Sequence, residues 1–222
     1  SPSRGLGDVY KRQEWSGSDW NSWQPPLAFR NAAPFGRLEL ELEPFAGVAL
    51  AGRRFAARVP TTLSVPLLLT YPDEGSLLFE TREEGDADAV PAMNNVIYRL
   101  LASTPPGKLS FTVIDPVGLG QSFAGLMRLA DFDENNINSR IWTQAVQIEE
   151  RLAELGEHME KVIQMYLRDE YATIAEYNAE AGTIAEKYHI LVIAGFPVNF
   201  SEAAARRLLN IAASGARCGV YT

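Results

Sequence analysis

The chain has a single cysteine, Cys218, and only two histidines, His158 and His189. One thiol excludes an internal disulfide framework and suits a reducing compartment, so a cytoplasmic location is expected. With so few soft ligands no zinc cluster is expected, and no other metal site. No apolar run reaches the ~18–20 residues of a membrane helix, so no direct membrane contact is expected. The first residues also lack the charged-then-apolar order of a signal peptide. Positive charge is in deficit: 20 Lys and Arg stand against 28 Asp and Glu, a net charge of -8. That argues against a general nucleic-acid surface, which would be basic. No GxSxG occurs, and Cys218 has no evident base beside it, so covalent catalysis has no support and no catalytic residue is assigned. What is present is 222 residues, 46% hydrophobic, enough for one sizeable α/β core.

The most informative stretch is Tyr188–Phe200, YHILVIAGFPVNF. Its apolar run Ile190–Ala194, bounded by His189 on one side and by Gly195 and Pro197 on the other, predicts a strand buried on both faces. Burial of both faces implies a parallel sheet with helices above and below. The strand's carboxyl end, Ala194–Gly195, is where an open α/β sheet places its ligands. A nucleotide-hydrolysing fold needs an aspartate there for magnesium, often followed by a glutamate. This chain has an alanine and a glycine.

Residues Ser1–Gln13, SPSRGLGDVYKRQ, resemble a translated sequencing adapter and are set aside; the alternative is an ordinary tail. Residues 14–75 predict a β-rich, irregular amino-terminal segment. Trp15, Trp20 and Trp23 suit packing onto a neighbouring surface better than stacking on a ligand. Arg37–Glu43, RLELELE, alternates as a half-buried strand does, with Arg54–Val59 as its expected partner. Leu63–Thr70 carries Pro66 and is expected as an edge strand or an extended arm.

From Ser76 the rhythm is α/β. A short strand is expected over Ser76–Glu80, then a loop to Asp88 as N-cap and a helix over Ala89–Ser103. That helix carries an apolar face of Met93, Val96, Ile97, Leu100 and Leu101. Pro105–Gly107 stops it, and Leu109–Ile114 is a second buried strand, so a right-handed βαβ unit is expected. Val117–Arg140 is loop-rich. Its Gly118-Leu-Gly-Gln-Ser-Phe lacks the third glycine of a dinucleotide fingerprint, Phe123 standing there. Asp131, Asp133, Glu134 and Asn135 lack EF-hand spacing and suit a solvated acidic loop. A long helix is expected over Thr143–Glu170, with Ile148, Leu152, Leu155, Met159, Val162 and Tyr166 as its stripe and His158 on its surface or half-buried. Ala172–Ala181 continues helically up to Gly182. After the central strand come a helix from Ser201 to about Ser214, stopped by Gly215, and a last strand over Arg217–Thr222. Ending inside that strand's neighbourhood, the carboxyl end is expected to be truncated.

This order of elements resembles the motor domain of FtsK/SpoIIIE-family DNA translocases over about Ser76–Thr222. The match rests on FTVIDP at Phe111–Pro116, the long helix reaching Tyr177–Asn178, YHILVIAGF at Tyr188–Phe196, and AAARRLLNIAASGARCGVYT at Ala203–Thr222. The details "GLGQ" and "SGARCGVYT" resemble large proteins of this type in planctomycete-like bacteria. The resemblance implies a RecA-like, P-loop NTPase-type parallel sheet flanked by helices, with ATP and magnesium as cofactors of an active member. Counted back from Asp115 without gaps, the phosphate loop ends near Ala89–Val90. A working GxxxxGK[ST] needs glycine N–H groups and a lysine for the phosphates, and a hydroxyl for magnesium. Here Glu84, Gly85, Asp88, Ala89 and Val90 occupy those positions, and Ala194 and Gly195 occupy those of the Walker B acids. Glu80, Glu83, Glu84, Asp86 and Asp88 add negative charge within nine residues. The resemblance therefore implies a degenerate motor domain without cofactor. It would be one segment of a larger chain, partnered by other domains of that chain or by further copies, with DNA reached only through the full-length protein. The alternatives are an active ATP-driven translocase fragment and an unrelated binding protein sharing the fold.

Overall fold

The structure is a computed structural model that describes residues 21–29, 32–42, 61–70, 74–82, 86–130, 140–168 and 170–222. Ser1–Gln13, Trp15, Trp20, Arg54–Val59 and the acidic loop at Asp131–Asn136 lie outside them. Two compact units are present, one holding Ala32–Leu69 and the other Gln24–Asn31 with Thr70–Thr222.

In the first unit, β1 (Ala33–Glu41) pairs antiparallel with β2 (Thr62–Leu69), in a register that sets Arg37 opposite Pro66. Among the described residues the partner of the alternating strand is thus the proline-bearing run; Arg54–Val59, the expected partner, lies outside them. Both strands of a two-stranded ladder are edges, so a residue without an N–H can face outward at no cost to the pairing. Arg37 Nε donates to Ser64 Oγ at 2.8 Å across the ladder, and Leu38 and Leu63 stay exposed.

The second unit is built on a parallel three-stranded sheet in the order β3 (Leu109–Ile114), β4 (Tyr188–Ile193), β5 (Val220–Tyr221), flanked by helices. Every residue of β3 is buried, Ser110 and Thr112 with the four apolar ones, as expected for a strand covered on both faces. The outer edge of β3 is closed by Trp142, whose N–H donates to the Val113 carbonyl at 2.9 Å while its own carbonyl accepts from Asp115 N at 2.9 Å. The Trp142 ring lies under the guanidinium groups of Arg140 and Arg151.

The expected strand at Ser76–Glu80 does not form. The segment meets the far edge of the sheet only through Leu77 N donating to the Thr222 carbonyl at 2.8 Å and Thr222 N donating to Ser76 Oγ. Its backbone at Gly75 lies on the Tyr221 ring, where an added Cβ would come within 2.8 Å of the ring. Two bonds to a chain end do not make a ladder.

Helix α1 (Asp86–Ser103) begins earlier than expected, which puts Asp88 inside the first turn and not at the N-cap. An aspartate there is still favoured, because it lies near the positive end of the helix dipole. Helix α2 (Ala124–Ala130) occupies part of the stretch read as loop. Gly125 suggested a break, but it marks a close approach: a Cβ there would come within 3.0 Å of Tyr98 Oη on α1. Phe123, just before α2, is fully buried, a core residue where a fingerprint would have its glycine.

Helix α3 (Ala145–Met165) buries Ile148, Leu152, Leu155, Met159 and Val162, the expected stripe at spacings of four and three. The chain restarts as α4 (Ile174–Ala181) because Thr173 Oγ1 caps Glu176 N while the Glu176 carboxylate accepts from Ala172 N. Helix α5 (Glu202–Ser214) is capped at Ser201, whose Oγ accepts from Ala204 N at 3.0 Å and donates to Glu149 on α3 at 2.7 Å. Arg207 reaches the same carboxylate at 3.1 Å, and these two contacts hold the Glu149 carboxyl below the usual range, the serine hydroxyl contributing most. One hydroxyl thus both starts α5 and ties it to α3. Ser201→Ala is expected to cost about 1–2 kcal/mol in urea unfolding; a loss below about 0.5 kcal/mol would show that water replaces both bonds.

Candidate functional site

The parallel sheet has two ends, and each collects polar or special residues. At the carboxyl end Ala194 is buried and its N–H donates to the Ile114 carbonyl at 2.9 Å, so the ladder runs one step past β4. Gly195 then turns at φ +70°, and an added Cβ there would come within 2.6 Å of Val117 Cγ2. The position to which the resemblance assigns the second acid therefore has a backbone conformation that disfavours a side chain, and a side chain there would have to displace Val117.

Next to it Asp115, 1% exposed, accepts from Gly118 N at 2.8 Å and Gly120 N at 3.1 Å. Its carboxylate folds its own loop. A Cβ at Gly118 would fall against the same carboxylate. Asn94 on α1 joins this loop to the helix, its Nδ2 donating to the Val90 carbonyl at 3.1 Å and to the Ser122 carbonyl at 3.0 Å.

Ala89 and Val90 sit half-buried in the early turns of α1 and Asp88 is exposed; Glu84 and Gly85 lie outside the described residues. The structure thus sets Val90 against the loop after β3 through Asn94. The rim is apolar: Val117, Leu119, Phe196 and Val198 are all exposed. Magnesium nucleotide, which the family resemblance implies, does not fit these residues. Position 89 offers no ammonium and position 90 no hydroxyl, position 194 has no carboxylate, and the buried Asp115 is already occupied by two N–H groups.

The amino end of the sheet is different. The register of β3 and β4 sets Ser110 directly beside His189. His189 Nδ1 lies 2.7 Å from Ser110 Oγ, which in turn donates to the Tyr188 carbonyl at 3.4 Å. The imidazole of His158, on α3, meets that of His189 at 4.4 Å between ring centroids. His158 Nε2 is buried and has no hydrogen-bond partner. Glu186 completes the group: one nitrogen of each histidine and one Glu186 oxygen all lie within 4.8 Å of one another.

Asn178, near the end of α4, fixes Glu186 in place. Its Oδ1 accepts from Glu186 N at 2.7 Å and its Nδ2 donates to the Glu186 carbonyl at 3.0 Å. Tyr166 Oη donates to the carboxylate at 3.3 Å, and burial first, then this carboxylate, raises the tyrosine above its ordinary value. Burial, with His158 and Lys187 adding repulsion, pushes His189 down to about 4. Burial lowers His158 too, with Glu186 opposing and Lys161 reinforcing.

The sequence alone implies no metal site and gives His158 no second ligand; the fold brings His158, Glu186 and His189 together. The local signal was Glu186-x-x-His189 at the mouth of a strand; only the fold brings in His158.

No protein-family model matches the chain, and no curated protein matches it. Among solved structures it is similar to the cytoplasmic domain of the type VII secretion ATPase EccC from Thermomonospora curvata, with a TM-score of 0.57 and 17% identity. The likeness covers 97% of this chain and 24% of that one, so the chain spans about a quarter of its neighbour's length. The fold is similar to that of an FtsK/SpoIIIE-like ATPase domain. No helix among the described residues is long and apolar enough to cross a membrane.

Two expectations follow from the geometry of the two ends. Gly195→Ala forces a side chain into a left-handed turn and onto Val117, and is expected to cost about 1–3 kcal/mol. Val117→Ala should be near neutral alone and should recover about 0.5 kcal/mol or more of that loss; full additivity would show that Val117 does not crowd the turn.

At the other end, unfolded His189 takes up its proton near 6.5 and folded His189 near 4. The unfolded state therefore binds more protons between those values. The contribution is whole above pH 6.5 and is lost as pH falls toward 4, by up to about 3 kcal/mol. Facing groups are His158, Glu186, Lys161, Lys187 and Tyr166. Urea unfolding at pH 7 and 4.5 with a chelator present should show a smaller acid loss in His189→Asn than in the parent; equal losses would refute the assignment.

Proposed function

We propose that this chain is a catalytically silent FtsK/SpoIIIE-like domain, one segment of a larger translocase- or secretion-ATPase-like protein. It serves there as an interaction or regulatory module beside active ATPase domains. The observation that carries this reading is the Ala194–Gly195 turn. What supports the reading goes beyond residue type: a side chain at position 195 would meet Val117 in a left-handed turn, and the nearby Asp115 is committed to its own loop. Ala89 and Val90 in the early turns of α1 point the same way, since phosphoryl transfer depends on a lysine and a magnesium-bound hydroxyl there. The fold likeness, with 24% of the neighbour's chain covered, supports a role as one segment among others. In this reading other parts of the full-length protein contact DNA or cargo, and this acidic stretch contacts neighbouring domains or further copies. The exposed rim of Val117, Leu119, Phe196 and Val198 at the carboxyl end of the sheet suits an apolar contact.

Calorimetry with millimolar ATP and magnesium is expected to show no saturable binding. Two like charges ~4 Å apart repel by about 4 kcal/mol even at an effective dielectric of ~20, and the acidic run before α1 has no lysine to offset it. Micromolar binding that changes in the exposed variant Asp88→Lys would replace this reading with an ATP-binding domain that uses a carboxylate-bridged metal.

A further inference from the structure

The cluster at the amino end of the sheet has no part in that reading. Its residues come from three separate places: His158 from α3, Glu186 from the Ala185–Lys187 segment, and His189 from β4. We propose that His158, Glu186 and His189 bind one divalent transition-metal ion, with Zn2+ as the ion that fits best.

The donor set is two imidazoles and one carboxylate, which suits a borderline ion and leaves a fourth position for water. Ser110 supplies the supporting shell. With its hydroxyl donating to the Tyr188 carbonyl, its oxygen accepts a hydrogen bond from His189 Nδ1–H, the tautomer that leaves Nε2 as the lone-pair nitrogen. Such a second partner orients a ligand ring and fixes its tautomer.

His158 Nε2 is the independent sign of a missing partner: a buried ring nitrogen with no hydrogen-bond partner among the described residues. The Asn178 clamp and Tyr166 hold the third ligand from behind. Because burial keeps both rings neutral near pH 7, neither needs to lose a proton to bind metal. Lys161 and Lys187 oppose a cation; the Glu186 carboxylate at its centre offsets them.

Tetrahedral zinc places its ligand atoms about 3.4 Å apart. The present spread of up to 4.8 Å closes by about 1.4 Å, within reach of side-chain rotation. All three residues are half-buried, so an ion can enter from one side. Bound there, it would clip α3 to the start of β4.

The test uses the whole 222-residue chain, stripped with a chelator and titrated with ZnCl2 and CoCl2 in excess Mg2+, which occupies exposed acidic groups. One ion per chain is expected, with Co2+ visible bands of low coordination number and a thermal midpoint that rises with Zn2+ concentration. Affinity should fall at least about 100-fold in His158→Gln and Glu186→Gln, and about 10- to 100-fold in Ser110→Ala, which keeps all three ligands. Circular dichroism confirms that each variant is folded; should a ligand variant not fold, Ser110→Ala and the Co2+ spectrum of the parent decide. No saturable Zn2+ or Co2+ binding, or binding equally tight in the folded variants, overturns the site.

Discussion

The six-residue parallel register between β3 and β4 is the constraint on which the second unit depends. Leu109 pairs with Tyr188 and Ile114 with Ile193, across a separation in sequence that only a crossover can span. One slip would turn every side chain of a strand to the other face. The same register fixes both ends at once. At one end it brings Asp115 and its loop up to Ala194 and Gly195; at the other it sets Ser110 against His189.

Elements with a strong internal pattern were legible in the sequence. Leu109–Ile114 is mostly apolar and β-prone between Lys108 and Asp115, and the strand forms with those bounds. The α3 stripe was readable because five side chains at helical spacing all have the same use, and the caps Ser201 and Gly215 mark α5 at both ends. What failed depended on partners. Ser76–Glu80 has strand-like residues, but a strand is a relation, and among the described residues the segment bonds to the sheet at Thr222 without a ladder. Helix α2 was hidden by Gly125, whose missing side chain serves the contact with Tyr98.

The candidate sites divide the same way. That positions 89, 90, 194 and 195 lack the chemistry of a nucleotide site is written in their residue types. That Gly195 is closed by Val117 is not, because the two stand far apart in sequence and meet only through the pairing of their strands. The histidine cluster was illegible for the same reason: a helix residue and a strand residue acquire a common face only when α3 lies on the sheet. A count of one cysteine and two histidines treats ligands as scarce, but three well-placed ligands make a site whatever the total.

The carboxyl end shows why, on the proposed reading, more than a pair of residue types separates it from a nucleotide site. An aspartate at position 194 would enter a buried place whose backbone is already spent on the Ile114 carbonyl. Its charge would be desolvated with no lysine at position 89 to meet it, a cost of several kcal/mol. A glutamate at 195 would need a left-handed turn and the volume of Val117. Asp115 does not substitute, because releasing Gly118 and Gly120 would unfold the loop that Asn94 ties to α1. Each of these positions is matched by a neighbour that fits it, and Val117, Leu119, Phe196 and Val198 leave this end of the sheet an exposed apolar rim. On the reading proposed above, such a surface acts through what docks on it, as a module rather than a motor.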